Sequence, residues 1–176
     1  ASLNLSPSLV QPGDSINCTV TVDDGDGGLD SDSASVVVIN SLPTVLSLEI
    51  TPDPATTADS LLAITVSEDL DNQPVTLSYD WTVNGISHST SHTLSNAFFQ
   101  RGDLIALTVT PNDGIDDGPS LGTNLTVANS PPSAPSIEIS PEDPIEGLDD
   151  LVCSVIVDST DVDNDAVSYS YGWTVD

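Results

Sequence analysis

Apolar and polar residues alternate with a period of two along most of this chain. In residues 75–83 the odd positions are apolar or aromatic, and the even positions are polar. Such alternation indicates strands with one buried face, and no segment shows the 3.6-residue spacing of an amphipathic helix. Clusters of Asp, Gly, Asn and Pro, such as 23–28 and 112–118, separate the alternating segments and predict turns. The sequence therefore predicts an all-β fold built from short strands.

The chain also contains an internal repeat. Residues 12–16 (PGDSI) correspond to residues 101–105 (RGDLI) at an offset of 89, and the correspondence extends in both directions without a gap. A second match pairs residues 79–83 (YDWTV) with residues 171–175 (YGWTV) at an offset of 92. A repeat of about 90 residues predicts a tandem array of similar units.

The repeat divides the chain into one complete unit and two partial units. Residues 41–130 are predicted to form the complete unit. Residues 1–40 are predicted to be the C-terminal half of a preceding unit, with strands E to G, and residues 131–176 the N-terminal half of a following one, with strands A to C. We expect the chain to be a window of a longer repetitive polypeptide, or its halves to complete each other head to tail between subunits.

The complete unit has the strand pattern of a β-sandwich. Each unit is predicted to contain about seven short strands, with turns every 8–12 residues or so. This pattern favours an immunoglobulin-like sandwich. The proline-containing linkers 40–43 and 129–135 indicate stiff connections, so we expect the units to form a rigid rod. The strands, lettered A to G, are predicted at 45–50 (A), 61–66 (B), 75–83 (C), 86–94 (D/E), 104–110 (F) and 122–128 (G).

Residues 79–85 (YDWTVNG) resemble strand C of the immunoglobulin-like, PKD-type repeats of bacteria and archaea. Those repeats are extracellular modules strung along large adhesins, stalks and surface fibres. The resemblance implies an extracellular or cell-surface location and a structural role in a filament, fibril or adhesin stalk. It also implies that Trp81 fills the core of the sandwich.

The charge of the chain excludes several classes of function. There are 28 acidic residues and one basic residue, which give a net charge of −27. Nucleic acids and anionic membrane surfaces would be repelled, and no apolar run is long enough to span a bilayer. No nucleophile elbow or phosphate-binding loop is present, so we expect no enzyme. The alternative function is an adhesin module that binds a glycan or another ligand through its B–C and F–G loops.

The acidic residues cluster in the B–C and F–G loops, which an immunoglobulin-like sandwich brings to the same end. Carboxylates alternating with Gly or Asn supply the oxygen ligands that calcium prefers, and a cation would relieve their mutual repulsion. The sequence therefore predicts calcium that stiffens the junction between units, although ordinary turns on a solubilising surface are the alternative. The candidate ligands are Asp69, Asp71, Asp113 and Asp116 in the complete unit, Asp23, Asp24 and Asp26 in the first, and Asp161, Asp163 and Asp165 in the last.

The two cysteines are predicted to occupy a pair of related positions. Cys18 falls on strand F of the first unit and Cys153 on strand B of the last, the two strands that immunoglobulin domains join by a disulfide. In the complete unit, the pattern places Leu107 and Leu62 at these positions. We expect each cysteine to pair with the equivalent of the other in a neighbouring repeat or subunit, which implies an oxidising compartment. Two unpaired buried thiols are the alternative.

Two shorter motifs complete the sequence analysis. Asn4, Asn17 and Asn124 begin Asn-x-Ser/Thr sequons, which predict N-linked glycan, and the last two are expected to point outward from their strands. Residues 101–103 spell the Arg-Gly-Asp tripeptide that integrins recognise. Because the other copy has Pro-Gly-Asp at the same position, we interpret the tripeptide as a turn that leads into strand F.

Overall fold

The computed structural model describes residues 1–175, which form eleven strands and a single short 3₁₀ turn, Asn96–Phe98. The prediction of an all-β fold is confirmed. Within these residues, no helix has the length and apolarity needed to cross a membrane. The strands are β1 Ser15–Asp23, β2 Leu29–Val37, β3 Thr44–Thr51, β4 Leu61–Glu68, β5 Thr76–Val83, β6 Ile86–Ser89, β7 Thr93–Leu94, β8 Leu104–Asn112, β9 Leu121–Thr126, β10 Ser136–Ser140 and β11 Val152–Val157.

Two antiparallel sheets form the central unit. One has the order β3-β4-β7 and the other the order β6-β5-β8-β9. Alternate residues of both sheets face one shared hydrophobic core, as the period of two predicts. The region predicted at 86–94 for strands D and E contains two short strands, β6 and β7, which belong to different sheets. The largest fully buried apolar side chains are those of Trp81, Leu61, Leu94, Ile105, Leu107 and Val109.

Trp81 lies at the centre of this core, as expected for it. Its side chain is 0% exposed, and its indole Nε1 donates a hydrogen bond to the carbonyl oxygen of Ser91 at 2.9 Å. The strand that carries it turns back into β6 through Asn84 and Gly85, whose φ values are 50° and 83°. Two positive φ angles in a two-residue hairpin loop match the right-handed twist of the flanking strands, and Asn-Gly accepts them readily.

Two further hairpins flank the central unit, and their registers repeat those of its strands. β1 pairs with β2 as β8 pairs with β9: Ile16 lies opposite Val36, and Ile105 lies opposite Leu125. At the other end, β10 pairs with β11 as β3 pairs with β4. The offset of 89 found in the sequence therefore also relates the paired strands β1, β2 and β10 to their counterparts, whereas β11 follows β4 at an offset of 90.

The register corrects one part of the cysteine prediction. Ile139 lies opposite Cys153, and its counterpart Ile50 lies opposite Ala63. The counterpart of Cys153 is therefore Ala63, and the prediction of Leu62 was wrong by one residue. Adjacent strand residues point to opposite faces, so this correction moves the position from the outer face to the core, where Ala63 is buried.

The flanking hairpins leave their apolar faces uncovered. Alternate residues of β1 were predicted to be half-buried, but Val20 and Val22 are 66% and 60% exposed. Because residues 171–175 repeat residues 79–83, the sequence also predicts a strand over residues 167–175 with inward aromatic side chains. They form no regular strand, and Tyr171 and Trp173 are 58% and 54% exposed. In the central unit β5 is held between β6 and β8, whereas residues 167–175 have no neighbouring strand within the part of the chain that the structure describes.

Candidate functional site at the junctions between units

The linker 40–43 is held by the loops of the unit that follows it. The amide of Ser41 donates to Asp71 Oδ2 at 2.7 Å. The side-chain amide of Asn40 donates to Asp113 Oδ2 at 2.8 Å and to Asp116 Oδ2 at 3.2 Å. Asp71 belongs to the β4–β5 loop, and the other two carboxylates belong to the β8–β9 loop. The structure thus brings the two acidic loops together at the end that faces the linker.

Asp69 fixes the shape of the β4–β5 loop. Its Oδ1 accepts hydrogen bonds from the amides of Asp71 at 2.8 Å and Gln73 at 3.1 Å. Between these residues, Asn72 has a left-handed φ of 58°, a conformation that Asn tolerates better than most residues. This folded loop places the Asp71 carboxylate against the linker.

The same arrangement recurs at the start of the last unit. Asp161 Oδ1 accepts from the amides of Asp163 at 2.8 Å and Asp165 at 3.3 Å, and the intervening Asn164 has a φ of 61°. The amide of Ser130 donates to Asp163 Oδ2 at 2.6 Å. Ser130 is the repeat counterpart of Ser41. Two successive junctions therefore share one contact, in which a loop aspartate binds the amide of a linker serine.

The second junction also has contacts that cross from the central unit to the last unit. The Thr57 hydroxyl donates to Asp163 Oδ1, and the Arg101 guanidinium forms an ion pair with Asp165. Arg101 also donates to Asn129 in the linker, and the hydrogen bond and charge of Asp165 raise the pKa of Arg101. Exposed ion pairs stabilise little, so this one contributes mainly to orientation.

Arg101 lies in a turn that is present in both copies. In each copy, the carboxylate at the fourth position of the turn accepts from the amide three residues earlier at 2.8 Å: Asp103 from Gln100, and Asp14 from Gln11. The intervening glycine has a positive φ in both turns. The interpretation of residues 101–103 as a turn before β8 is confirmed.

Hydrogen-bond donors lower the pKa of two carboxylates at the junctions, Asp113 and Asp163. The Asp116 amide, followed by the Asn40 side chain, lowers the pKa of Asp113, which is only 5% exposed. The Thr57 hydroxyl, followed by the Ser130 amide, lowers the pKa of Asp163. Hydrogen bonds to the charged form of a carboxylate favour that form. These contacts are therefore complete at neutral pH.

We expect the contact between Asp163 and Ser130 to break only in acid. An unfolded aspartate has a pKa of about 3.9, and the pKa of Asp163 in the folded chain lies below it. The contact therefore stabilises the junction above pH 4 or so and is lost as the pH falls through the lowered pKa. In an NMR titration, the Ser130 amide resonance should shift with a midpoint below about 3.9. The Leu107 amide, inside the central sheet, is the control and should not follow this titration. A Ser130 midpoint above about 3.9 would contradict the expected contact.

The carboxylates predicted to bind calcium are largely engaged with backbone amides. In the first unit, Asp24 Oδ1 accepts from the amides of Asp26 and Gly28, both at 2.9 Å, and these bonds lower the pKa of Asp24. Asp23 accepts from the Gly25 amide at 2.8 Å. Among residues 1–175, no group of three or more His, Cys, Asp or Glu side chains is placed to hold a metal ion.

Some acceptor atoms at the first junction nevertheless have no donor. Asn40 Oδ1, Asp69 Oδ2 and Gln73 Oε1 are buried atoms without a hydrogen-bond partner. Carboxylate and amide oxygens are ligands that calcium accepts, so these atoms fit the predicted ion in chemical type. Calcium therefore stays a prediction, and the observation that favours it lies at the first junction.

The other predicted site residues are accessible. Cys18 is exposed and Cys153 is half-buried, and both are free thiols. Asn4, Asn17 and Asn124, which begin the sequons, are all exposed. Disulfide formation and glycosylation stay predictions.

Sequence reasoning missed the donors of the junction contacts, which are the amides of Ser41 and Ser130 and the Thr57 hydroxyl. A backbone donor leaves no trace in side-chain chemistry. One signal could have found the first two: an Asn-Ser pair precedes each unit, at 40–41 and 129–130, and a loop aspartate recurs in each unit at Asp71 and Asp163.

Comparison with known proteins gave no relative: no family model, curated protein or solved structure matches this chain.

Proposed function

We propose that this chain is a structural repeat of an extracellular filament, fibre or adhesin stalk, in which tandem immunoglobulin-like units form a rigid rod without catalysis. The observation that carries the proposal is the contact between a linker serine amide and a loop aspartate, Ser41 with Asp71 and Ser130 with Asp163. A contact that recurs at successive junctions gives each unit the same orientation relative to its linker. Units joined in this way stack with constant geometry.

The surface area and the placement of the linkers support an extended shape. The chain exposes 12097 Å², whereas a compact protein of 18.2 kDa exposes about 8100 Å². The linker 40–43 lies at one end of β8, and the contacts of Thr57 and Arg101 with the last unit lie at the other. A nine-residue strand such as β8 is about 30 Å long, so each unit adds a segment of about that length.

The same contacts favour a structural role over the alternative of a ligand-binding module. The two loops that would recognise a glycan or another ligand are bound to the linker by Asp71 and Asp113. A high acidic charge, exposed sequons and two cysteines that the sequence predicts to pair with equivalents of each other support an extracellular location in this proposal.

Small-angle X-ray scattering tests the rod. We use the Cys18→Ser, Cys153→Ser double variant, diluted until light scattering gives 18.2 kDa. Three stacked segments of about 30 Å predict a radius of gyration of about 25 Å, whereas a compact chain of this length has about 16 Å. Adding Asp71→Ala and Asp163→Ala removes the contact that the two junctions share and should broaden the distribution of intramolecular distances. Asp143→Ala with Asp150→Ala is the matched control, since it removes the same charge away from these contacts.

A radius of gyration near that of a compact chain would overturn the rod. Equal distance distributions for the junction variant and its control would overturn the role of the carboxylate contacts. The scattering is recorded in EDTA and in calcium, with magnesium as the control ion. We expect calcium alone to narrow the distribution, because it would occupy the oxygens near Asp69 and Asn40 that lack donors. Identical curves in all three solutions would remove calcium from the proposal.

A further inference from the structure

The two junctions differ at one position of the turn that comes before the last two strands of each unit. At the second junction this position is Arg101, the only Lys or Arg of the chain, whereas at the first junction it is Pro12. The turns are otherwise equivalent, since Asp103 and Asp14 close them with the same hydrogen bond. Both junctions therefore contain the turn, but the first has a proline where the second has a guanidinium.

At each junction this turn faces the acidic loop of the following unit across a cavity. At the first junction the cavity has a volume of about 360 Å³, and Pro12, Asp71 and Gln73 are among the residues that line it. The cavity at the second junction has a volume of about 300 Å³ and is lined in part by Arg101 and Asp163. A linker serine amide binds the loop aspartate at both junctions, so equivalent elements surround the two cavities.

The Arg101 guanidinium connects the linker with the loop at the second junction. Its Nη1 donates to Asn129 Oδ1 in the linker and to Asp165 Oδ2 in the loop. Because one nitrogen contacts both oxygens, the two oxygens are neighbours. The hydrogen bond and charge of Asp165, followed by the charges of Asp163 and Asp161, raise the pKa of Arg101. The loop therefore favours a positive charge at this position.

The counterparts of these two oxygens at the first junction lack a donor. Asn40 is the repeat counterpart of Asn129. Gln73 is the counterpart of Asp165, because each donates its amide to the first aspartate of its loop. Asn40 Oδ1 and Gln73 Oε1 are buried atoms without a hydrogen-bond partner, and so is Asp69 Oδ2. Buried acceptors without a partner are rare in folded proteins and call for a water or an ion.

The chemistry of these three oxygens favours a cation. Amide and carboxylate oxygens only accept hydrogen bonds, unlike the Ser130 hydroxyl at the second junction, which also lacks a partner but is able to donate. Calcium accepts carboxylate and amide oxygens in a flexible shell of about six to eight ligands, some of which are water. Magnesium requires a near-ideal octahedron, which a set drawn from a linker and a loop does not favour.

We infer that the first junction binds a calcium ion at the place that the Arg101 guanidinium takes at the second. Its ligands are Asn40 Oδ1, Asp69 Oδ2 and Gln73 Oε1, and water completes the shell. The inference rests on the proposed function, since it names the junction that takes the ion and the atoms that hold it. The second junction carries its own cation, so we expect no calcium there. The rod then has one junction that depends on calcium and one that does not.

An NMR titration with calcium tests the site on the monomeric Cys18→Ser, Cys153→Ser chain after treatment with EDTA. The side-chain amide resonances of Asn40 and Gln73 should shift together with a Kd of about 0.1–1 mM, the range of extracellular calcium modules. The side-chain amide of Asn129 is the control within the same chain and should not shift. Magnesium at the same concentrations should shift none of them. No shift at Asn40, which would mean that water alone fills the position, or equal shifts at Asn40 and Asn129, would overturn the inference.

A guanidinium placed in the first turn should compete with the ion. Pro12→Arg copies the second junction and should weaken calcium binding at Asn40 at least about tenfold. Ser33→Arg is the matched control, because it adds the same charge at an exposed residue in the middle of β2, opposite Thr19. It should leave the affinity within about threefold. Equal affinities of the two variants would contradict the equivalence of guanidinium and calcium.

The reverse change should create a calcium site at the second junction. Arg101→Gln removes the guanidinium, so the side-chain amide of Asn129 should now respond to calcium. Arg101→Lys keeps a positive charge and should leave Asn129 unresponsive. An unresponsive Asn129 in the glutamine variant would overturn the inference. An extended chain in which Asn40 ignores calcium would overturn this inference alone, whereas a compact chain that binds calcium at Asn40 would overturn the proposed rod alone.

Discussion

Replacing Trp81 by alanine will lower the free energy of unfolding of the central unit by about 3–5 kcal/mol. The side chain is fully buried between the two sheets, and the structure around it is held by strand pairing, so the cavity left by the indole cannot close completely. The variant also leaves the carbonyl of Ser91 without its donor. Urea unfolding followed by far-UV circular dichroism measures the change, with the chain kept dilute and monomeric.

Trp173 provides the matched control, because it is the same residue type at the equivalent position of the repeat. Its side chain is 54% exposed in the single chain, so Trp173→Ala should change the free energy of unfolding by no more than about 0.5 kcal/mol. Equal losses from the two variants would mean that residues 167–175 are packed in the monomer, contrary to the structure described here.

Replacing Gly118 by alanine will lower the free energy of unfolding by at least about 3 kcal/mol, a cost at the upper end for overpacked sites. A Cβ atom at this position would lie 1.8 Å from the carbonyl oxygen of Pro43 and 2.9 Å from its carbonyl carbon. Both are backbone atoms of a fully buried residue, so they cannot move aside as a flexible side chain would. The β8–β9 loop must then move away from the linker, which also strains the contacts of Asp113 with Asn40.

Gly122→Ala is the control for this substitution. Its Cβ would lie 3.6 Å from the carbonyl oxygen of Leu107, an ordinary van der Waals contact. Because Gly in a strand interior costs about 0.5–1 kcal/mol relative to Ala, this variant should be neutral or slightly more stable. The same urea titration measures both variants. A Gly118→Ala protein as stable as Gly122→Ala would show that the linker does not pack against the loop.

The regular part of the fold could be predicted from the sequence because alternation and repetition are local signals. The pattern around Trp81 predicted both the strand and its buried face. The offset of 89 predicted that β1 and β8 are equivalent strands. In the structure, β1 pairs with β2 in the same register as β8 pairs with β9. Alternation depends on residues within a few positions of one another. The repeat depends on the recurrence of such segments elsewhere in the chain, and both can be seen in the sequence.

What the pattern could not supply was the partner that completes a strand. Trp173 has nearly the same neighbours in sequence as Trp81, yet it is exposed because no strand among residues 1–175 covers it. The assignment of Leu62 rather than Ala63 failed for a related reason: two adjacent apolar residues fit either register, and only pairing with β3 decides between them. The junction was predicted in part, because the acidic loops were placed at the same end, but the carboxylates there bind amides of the linker.

The hydrogen bonds of the linkers determine where a repeat unit must begin if it is to be duplicated or grafted with its contacts intact. Asn40 and Ser41 bind the loops of the unit that follows them, so the self-contained piece begins at the Asn-Ser pair rather than at β3. A graft that began at Thr44 would discard both donors and leave the acceptors of Asp71 and Asp113 facing solvent. Gene duplication that lengthens such a protein would preserve its geometry when the crossover falls just ahead of an Asn-Ser pair. The recurrence of that pair at residues 129–130 marks such a boundary within this chain.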